Sequence, residues 1–289
     1  MTEVLRPRPL KYRGGSLGGE RPAVMAILNV TSDSFFDGGR YEGVERAVAR
    51  ALEVVREGAD CLDIGGESTR PGSEGVSEEE EIARVIPVIE SLMRGGAGSY
   101  PIPISVDTSR AEVARRALEA GARIVNDVTG GSREPEILSV AAEAQAGVIL
   151  MHMRGTPRSM QTDVTYDDLL SEISDFLLDR CGAATRAGVA VEYQAVDPGV
   201  GFGKSPQACL EILANLGRFG GLSRALLIGA SRKSFLGGCF GQDLSNRLEG
   251  SLASAALAVD RGASILRVHD VAETRRAVDV AAGIRGASR

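Results

Sequence analysis

The residues with reactive or ligand-binding side chains lie far apart in this sequence, and each group of them follows a short apolar segment. They are Asn29, Asp63, Asp107, Asn126, His152, Asp197, Ser231 to Lys233, Arg267 and His269. Carboxylates and amides exchange hydrogen bonds with a flat polar heterocycle, whereas lysine, arginine and histidine bind anions. If these side chains meet in one place, we expect a site that holds a polar ring on one side and an anion on the other.

The apolar segments before these residues have the character of strands that are buried on both faces. They are short, they are apolar without two-fold alternation, and amphipathic stretches separate them. They fall at 24–28, 61–64, 102–106, 124–125, 147–151, 195–196, 226–229 and 264–268. Ser77–Glu80 and Ser109–Glu112 have the spacing of helix capping boxes. The pattern predicts eight strands of a parallel sheet, each followed by a helix.

A repeated spacing favours closure of that sheet into a barrel. A glycine stands five residues before the polar residue in four of the units, at Gly58–Asp63, Gly121–Asn126, Gly147–His152 and Gly262–Arg267. Eight strand–helix units over roughly 260 residues predict a single-domain α/β fold, a (β/α)8 TIM barrel over residues 23–289. An open doubly wound sheet is the alternative, but no G-x-G-x-x-G follows the first strand. Residues 1–22 are expected to form an N-terminal tail or a cover over the bottom of the barrel.

In such a barrel, the site lies where the strands end. Asp107, Asn126 and Asp197 would then converge on the mouth and accept hydrogen bonds from a donor-rich ring. Lys233, Arg267 and His269 come from the last two strand ends, where barrels commonly bind phosphate. We expect two loops, 31–41 and 66–77, to act as lids.

Composition and missing motifs exclude several other functions. The chain has 289 residues, a net charge of −6 and no apolar run of transmembrane length, so nucleic acid and membrane partners are not expected. The N-terminus shows no apolar signal sequence, and we therefore expect a cytoplasmic protein. GFGKS at 201–205 lacks the first glycine of a P-loop, and GASRKS at 229–234 lacks the last glycine of a G-x-S-x-G elbow.

Eight sequence blocks resemble the successive strand-end motifs of the dihydropteroate synthase family. They are NVTSDSFFDGG, DIGGESTRPG, SVDTSR, IVNDVTGG, ILMHM, DPGVGFGK, GASRKSFLG and LRVHDV, and they run in order from about residue 24 to 284. Ser32 and Phe36 depart from the usual residues of the first loop. The resemblance implies that 6-hydroxymethyl-7,8-dihydropterin diphosphate and p-aminobenzoate are joined to give 7,8-dihydropteroate and diphosphate, as in folate biosynthesis. It further implies inhibition by sulfonamides and a homodimer.

The resemblance also implies a role for individual residues. The pterin would be bound by Asp107, Asn126, Asp197 and Lys233, with Met151 and Phe202 as walls. The p-aminobenzoate would contact Phe35, Thr69, Arg70, Pro71 and Ser234. Asn29, Arg267 and His269 would hold the diphosphate, and Asn29 would also hold Mg²⁺. Asp37, Lys233, Arg267 and Asp107 would take part in catalysis.

Three other functions remain open from the sequence. A methyltransferase barrel that uses methyltetrahydrofolate would share the ring-binding residues but would not need GASRKS or the R-x-H pair. An aldolase would use Lys233 as a Schiff base. A catalytically silent paralogue would bind a pterin without turning it over.

Overall fold

A computed structural model describes residues 6–31, 40–68, 73, 75–94, 100–156, 158–160, 164–222, 224–241 and 243–287. Eight parallel strands form a closed barrel, and helices surround it. The (β/α)8 prediction is therefore confirmed. Among the described helices, none combines the length and the apolar character needed to cross a bilayer.

The strands and helices alternate along the chain after an N-terminal hairpin. The hairpin consists of β1 (Pro9–Tyr12) and β2 (Gly15–Gly18). The barrel strands are β3 (Ala23–Asn29), β4 (Cys61–Gly65), β5 (Ile104–Asp107), β6 (Ile124–Asp127), β7 (Gly147–Met151), β8 (Gln194–Asp197), β9 (Ala225–Ile228) and β10 (Ile265–Val268). The helices are α1 (Arg40–Arg56), α2 (Glu78–Arg94), α3 (Ala111–Ala120), α4 (Glu136–Glu143), α5 (Leu169–Arg186), α6 (Pro206–Ala214), α7 (Gly217–Gly220), α8 (Phe235–Phe240), α9 (Leu248–Asp260) and α10 (Val271–Ala287).

The hairpin lies across the amino ends of the barrel strands. Leu10 and Leu17 are buried and pack with Met25, Ile124 and Ile149, which belong to the first halves of their strands. Gly147 begins β7 directly beneath the hairpin, where a β-carbon would lie 2.9 Å from the carbonyl oxygen of Lys11. This end of the barrel is therefore closed by apolar side chains.

Two local sequence signals have different outcomes. Ser77 caps α2 as its spacing predicts, because its Oγ accepts a hydrogen bond from the Glu80 amide at 3.1 Å. The capping box predicted at Ser109 is wrong, since α3 begins at Ala111 and the Ala111 amide donates to Glu134 from another part of the chain. The glycine repeat also differs at one unit: Gly58, Gly121 and Gly262 have positive φ, whereas Gln145 takes that conformation before β7.

Candidate active site

The strand register sets the predicted ring-binding residues side by side in two pairs at the carboxyl ends of the strands. Asp107 at the end of β5 stands beside Asn126 of β6, and Asp197 at the end of β8 stands beside Met151 of β7. All four side chains are buried. Alternating inward positions at the carboxyl ends of parallel strands point toward the barrel axis, which is why residues distant in the sequence meet here.

One part of the mouth is a cluster of two carboxylates around a guanidinium. Arg267 of β10 donates through Nε to Asp63 Oδ2 at 2.6 Å and through Nη2 to Asp107 Oδ2 at 2.6 Å. Asn126 Nδ2 also donates to Asp63 Oδ2, at 3.1 Å. Asp63 is fully buried, and its second oxygen has no hydrogen-bond partner among the described residues. The cluster therefore holds one more carboxylate than cation.

Burial and the neighbouring charges shift the pKa values of the cluster. Burial raises the pKa of Asp107 to about 7, and the neighbouring charge of Asp63 adds to the shift while Arg267 opposes it. Burial disfavours the charged form of Arg267, but Asp63 and Asp107 outweigh it and raise the pKa of the guanidinium. Arg267 is thus a fixed cation, and Asp107 can exchange a proton near neutral pH.

A second part of the mouth combines Asp197, Lys233 and the loop between β8 and α6. The Gly199 amide donates to Asp197 Oδ1 at 2.7 Å. The Lys233 ammonium donates to the carbonyl oxygen of Val200 and lies 4.4 Å from the centroid of the Phe202 ring, a cation–π contact. Burial raises the pKa of Asp197, and burial lowers the pKa of Lys233 to about 8 although Asp197 opposes that shift.

The two parts of the mouth are adjacent. A β-carbon at Gly229, the residue after β9, would lie 3.8 Å from Cβ of Arg267 and 3.8 Å from Nζ of Lys233. The glycine therefore separates the two cationic side chains without filling the space between them. Together the two parts of the mouth surround a basin with carboxylate acceptors on two sides and cations at its edge.

The remaining predicted residues lie at the rim or outside the described residues. Asn29 ends β3 and is half-buried. His269 follows β10, and its Nδ1 is 3.1 Å from Ser231 Oγ. Ser234 is exposed at the start of α8. Phe35, Asp37, Thr69, Arg70 and Pro71 lie outside the described residues, as do Ser32 and Phe36, most of the first loop predicted to be a lid and part of the second.

A cavity of about 730 Å³ opens beside the carboxylate cluster at the same end of the barrel. It is lined by Asp107 and Thr108 of the β5 end, by Thr129 after β6, and by Met153 after β7. This volume is typical of a site for a small organic molecule. Because Asp107 belongs to both the cavity and the cluster, a ligand in the cavity reaches the acidic side of the basin.

The sequence pattern gives no role to two residues of the site. Asp63 stands at a strand end, and in the structure it bonds both Arg267 and Asn126. Lys204, the second, is buried beneath the β8–α6 loop. A signal for Lys204 exists in the composition: of 33 basic residues only three are lysines, at 11, 204 and 233.

Comparison with known proteins agrees with this geometry. The sequence matches the profile of the pterin binding enzymes over residues 25–269. The chain belongs to this family. Its relative in Escherichia coli K12, a dihydropteroate synthase, is 45% identical over 268 residues, which are 93% of each chain.

Solved structures of dihydropteroate synthases have the same fold as this family member. The Yersinia pestis enzyme in a sulfonamide complex has a TM-score of 0.88 and 41% identity, covering 96% of this chain and 99% of that one. The Xanthomonas albilineans enzyme with 4-aminobenzoic acid has a TM-score of 0.87 and 45% identity, and the same enzyme with 7,8-dihydropteroate has 0.84 and 43%. Both cover 96% of this chain and 98% of that one. Within the pterin binding enzymes, this chain is thus grouped with the dihydropteroate synthases.

Proposed function

We propose that this protein joins 6-hydroxymethyl-7,8-dihydropterin diphosphate to p-aminobenzoate and releases diphosphate and 7,8-dihydropteroate. The observation that carries the proposal is the basin in which Asp107, Asn126 and Asp197 stand with Lys233 and Arg267. Relatives crystallised with 4-aminobenzoic acid and with 7,8-dihydropteroate support the choice of substrates.

The proposed roles of the basin residues follow from their hydrogen-bonding capacity. A pterin presents a row of N–H donors and one carbonyl, which suits the carboxylates of Asp107 and Asp197 with the amide of Asn126. Phe202 and Met151 would cover the faces of the ring. Because burial raises the pKa of Asp107 to about 7, this carboxyl group can share a proton with a ring nitrogen near neutral pH. Burial also raises the pKa of Asp197.

The reaction breaks the C–O bond to the diphosphate and forms a C–N bond to the aromatic amine, which loses a proton. A weakly nucleophilic amine favours C–O cleavage ahead of attack, as in an SN1 process. The carboxylates that surround the ring stabilise the resulting cation, and Arg267 with His269 stabilises the departing anion. Water must be kept away from the cation, because it would otherwise react with it in place of the amine. We assign Asp37 of the first loop to this step, and Phe35, Thr69, Arg70, Pro71 and Ser234 to p-aminobenzoate.

We propose Mg²⁺ as the cofactor, held by the diphosphate and by Asn29. Asn29 supplies a hard amide oxygen, and the described residues contain no cluster of three or more acidic, histidine or cysteine side chains that could hold a metal alone. That donor set fits Mg²⁺, which keeps its waters and binds protein through few ligands together with substrate phosphates. When bound, it would neutralise charge on the leaving group.

We further propose a cytoplasmic homodimer. Exposed apolar side chains support self-association: Leu257 of α9 and Val280 and Ile284 of α10 are each at least half exposed, at 50%, 64% and 63%. Exposed apolar groups on adjoining helices are a common basis of homodimer contacts. Light scattering behind size exclusion tests the mass, and Val280→Asp with Ile284→Asp should convert a dimer to a monomer.

One assay tests the proposed function. The purified protein is incubated with the pterin diphosphate and p-aminobenzoate, with and without Mg²⁺, and dihydropteroate and diphosphate are both measured. Equal yields of the two products that need Mg²⁺ and fall with a sulfonamide are expected. Pterin binding without either product would show the silent paralogue, and borohydride trapping of Lys233 with a carbonyl substrate would show the aldolase.

A further inference from the structure

Lysine is rare in this chain, and two of its three lysines lie at the mouth of the barrel. Arginine supplies the other 30 of the 33 basic residues, and Lys11 belongs to the exposed surface of the hairpin. Lys204 is only 2% exposed, although a buried ammonium is costly unless it is fully paired. A lysine buried at this position therefore needs hydrogen-bond acceptors for its N–H groups.

The contacts of Lys204 use its full donor capacity. Its Nζ lies 2.9 Å from His152 Nδ1, 3.3 Å from the carbonyl oxygen of His152 and 2.9 Å from the carbonyl oxygen of Phe202. An ammonium has three N–H groups, one for each of these acceptors. His152 therefore accepts at Nδ1 as a neutral imidazole, packed edge-on against Phe176.

These contacts join the β8–α6 loop to the end of β7. The backbone amide of His152 donates to the carbonyl oxygen of Asp197 at 2.9 Å, and the Phe202 amide donates to Gly199 at 3.1 Å to form a turn. Gly199 has φ +69°, and a β-carbon there would lie 1.9 Å from the carbonyl oxygen of His152. The loop is thus in direct contact with the neighbouring strand, with Lys204 beneath it.

The other face of the same loop forms part of the basin. Gly199 donates to Asp197, Val200 accepts from Lys233, and the Phe202 ring lies below the Lys233 ammonium. Three groups assigned to the pterin therefore depend on the position of six loop residues, 198–203. Lys204 is the side chain whose hydrogen bonds join this loop to the end of β7.

We propose that Lys204 is a positioning residue for the pterin: its ammonium fixes the β8–α6 loop against the end of β7 and so sets Phe202, Asp197 and Lys233. The proposal rests on the proposed function, because the pterin is the ligand whose binding it affects. An ammonium suits this place because its three donors radiate from one atom, whereas the planar guanidinium fork would need more room.

The kinetic test compares Lys204→Met, Lys204→Arg and the matched surface control Lys11→Met. Met keeps most of the aliphatic stem and removes the ammonium. We expect Lys204→Met to raise the KM for the pterin diphosphate about tenfold and to leave the KM for p-aminobenzoate within about twofold, in line with the loss of one charged hydrogen-bonding group. Lys204→Arg should not restore the pterin KM, and Lys11→Met should match the wild type.

A double-mutant cycle separates positioning from a general loss of stability. Phe202→Leu removes the ring and leaves the ammonium in place. If Lys204 acts through Phe202, the double variant should be no worse than the more impaired single variant in pterin affinity measured by calorimetry. Additive losses, or equal increases in both KM values, would overturn the proposal.

Lysine-selective ¹⁵N NMR tests the proposal on the wild-type protein, so the result does not depend on whether a variant folds. The protein should give three side-chain ammonium signals, and the pterin diphosphate should shift those of Lys204 and Lys233 but not that of Lys11. A Lys204 signal that ignores the ligand would contradict the inference. If the wild type forms no dihydropteroate, the proposed function fails, but calorimetry and NMR with the pterin still decide the role of Lys204.

Discussion

The two ends of the barrel are built from opposite kinds of side chain. At the amino ends of the strands, Leu10 and Leu17 of the hairpin close a dry apolar layer formed with Met25, Ile124 and Ile149. At the carboxyl ends, Asp107 is buried, Lys233 and Arg267 are partly buried, and all three have shifted pKa values. Burial stabilises the fold at the first end and opposes it at the second, where charges are desolvated. The barrel thus places an apolar layer that stabilises the fold at one end of its axis and the desolvated charges of the site at the other.

The largest expected effect is that of a substitution at Asp197. Asp197→Asn replaces an acceptor by an amide that presents donors to the ring, so we expect kcat/KM to fall by about 10³-fold or more. Calorimetry should show loss of pterin binding while circular dichroism stays unchanged. Asp175→Asn on the exposed face of α5 is the control. Unchanged pterin affinity in Asp197→Asn would remove that carboxylate from the site.

Arg267→Ala should affect both halves of the substrate. The guanidinium neutralises Asp63 and Asp107 in addition to its proposed role in binding the diphosphate, so its loss leaves two buried carboxylates without a cation. We expect a fall of about 10²-fold in kcat/KM and a loss of about 3–5 kcal/mol in the free energy of unfolding. Titration with diphosphate and with free pterin should show both weakened, and Arg276→Ala on exposed α10 serves for comparison. Weakening of diphosphate alone would mean that the carboxylates do not depend on Arg267.

At the opposite end, a substitution should change stability without changing activity. Leu10→Ala removes a fully buried side chain from the apolar layer, at a cost of about 2–5 kcal/mol in the free energy of unfolding. Urea denaturation measures this loss, and the matched Leu178→Ala, at an exposed position of α5, should cost far less. The kcat/KM of Leu10→Ala should equal that of the wild type below the unfolding transition. A large fall in kcat/KM would break the separation between the two ends.

The smallest expected effect is on the pH dependence of stability. The pKa of Asp107 is raised to about 7 in the folded protein, so the stability it contributes is present below its unfolded pKa and is lost as pH rises through 7. Lys233 acts in the opposite sense, since its pKa is lowered to about 8 and its contribution is lost as pH falls.

The difference between wild type and Asp107→Asn isolates the carboxylate. The free energy of unfolding of the wild type, relative to the variant, should fall by roughly 2–3 kcal/mol between pH 5 and pH 8. Urea titrations at the two pH values measure it. A difference that stays constant or grows with pH would show that Asp107 is ionised throughout.

Much of the fold could be predicted because its signals are local. Each of the eight apolar runs overlaps an observed barrel strand, and Ser77 caps α2 through its own neighbours. The signal at Ser109 failed because Glu134, 23 residues further along the chain, satisfies the helix start instead. At Gly147 the spacing was correct but the reason was different, since the hairpin requires the small residue there.

For the candidate site, the linear order of the residues is enough to identify which side chains stand at strand ends and what hydrogen bonds and charges they can offer. The order of apolar and polar segments along the chain also predicts the barrel. The pairing of these side chains appears only in the folded barrel: Arg267 bonds Asp63 and Asp107, which are 204 and 160 residues away in the sequence. The physical reason is that closure of the sheet brings distant strands together, and the partners, burial and pKa values arise only after that closure.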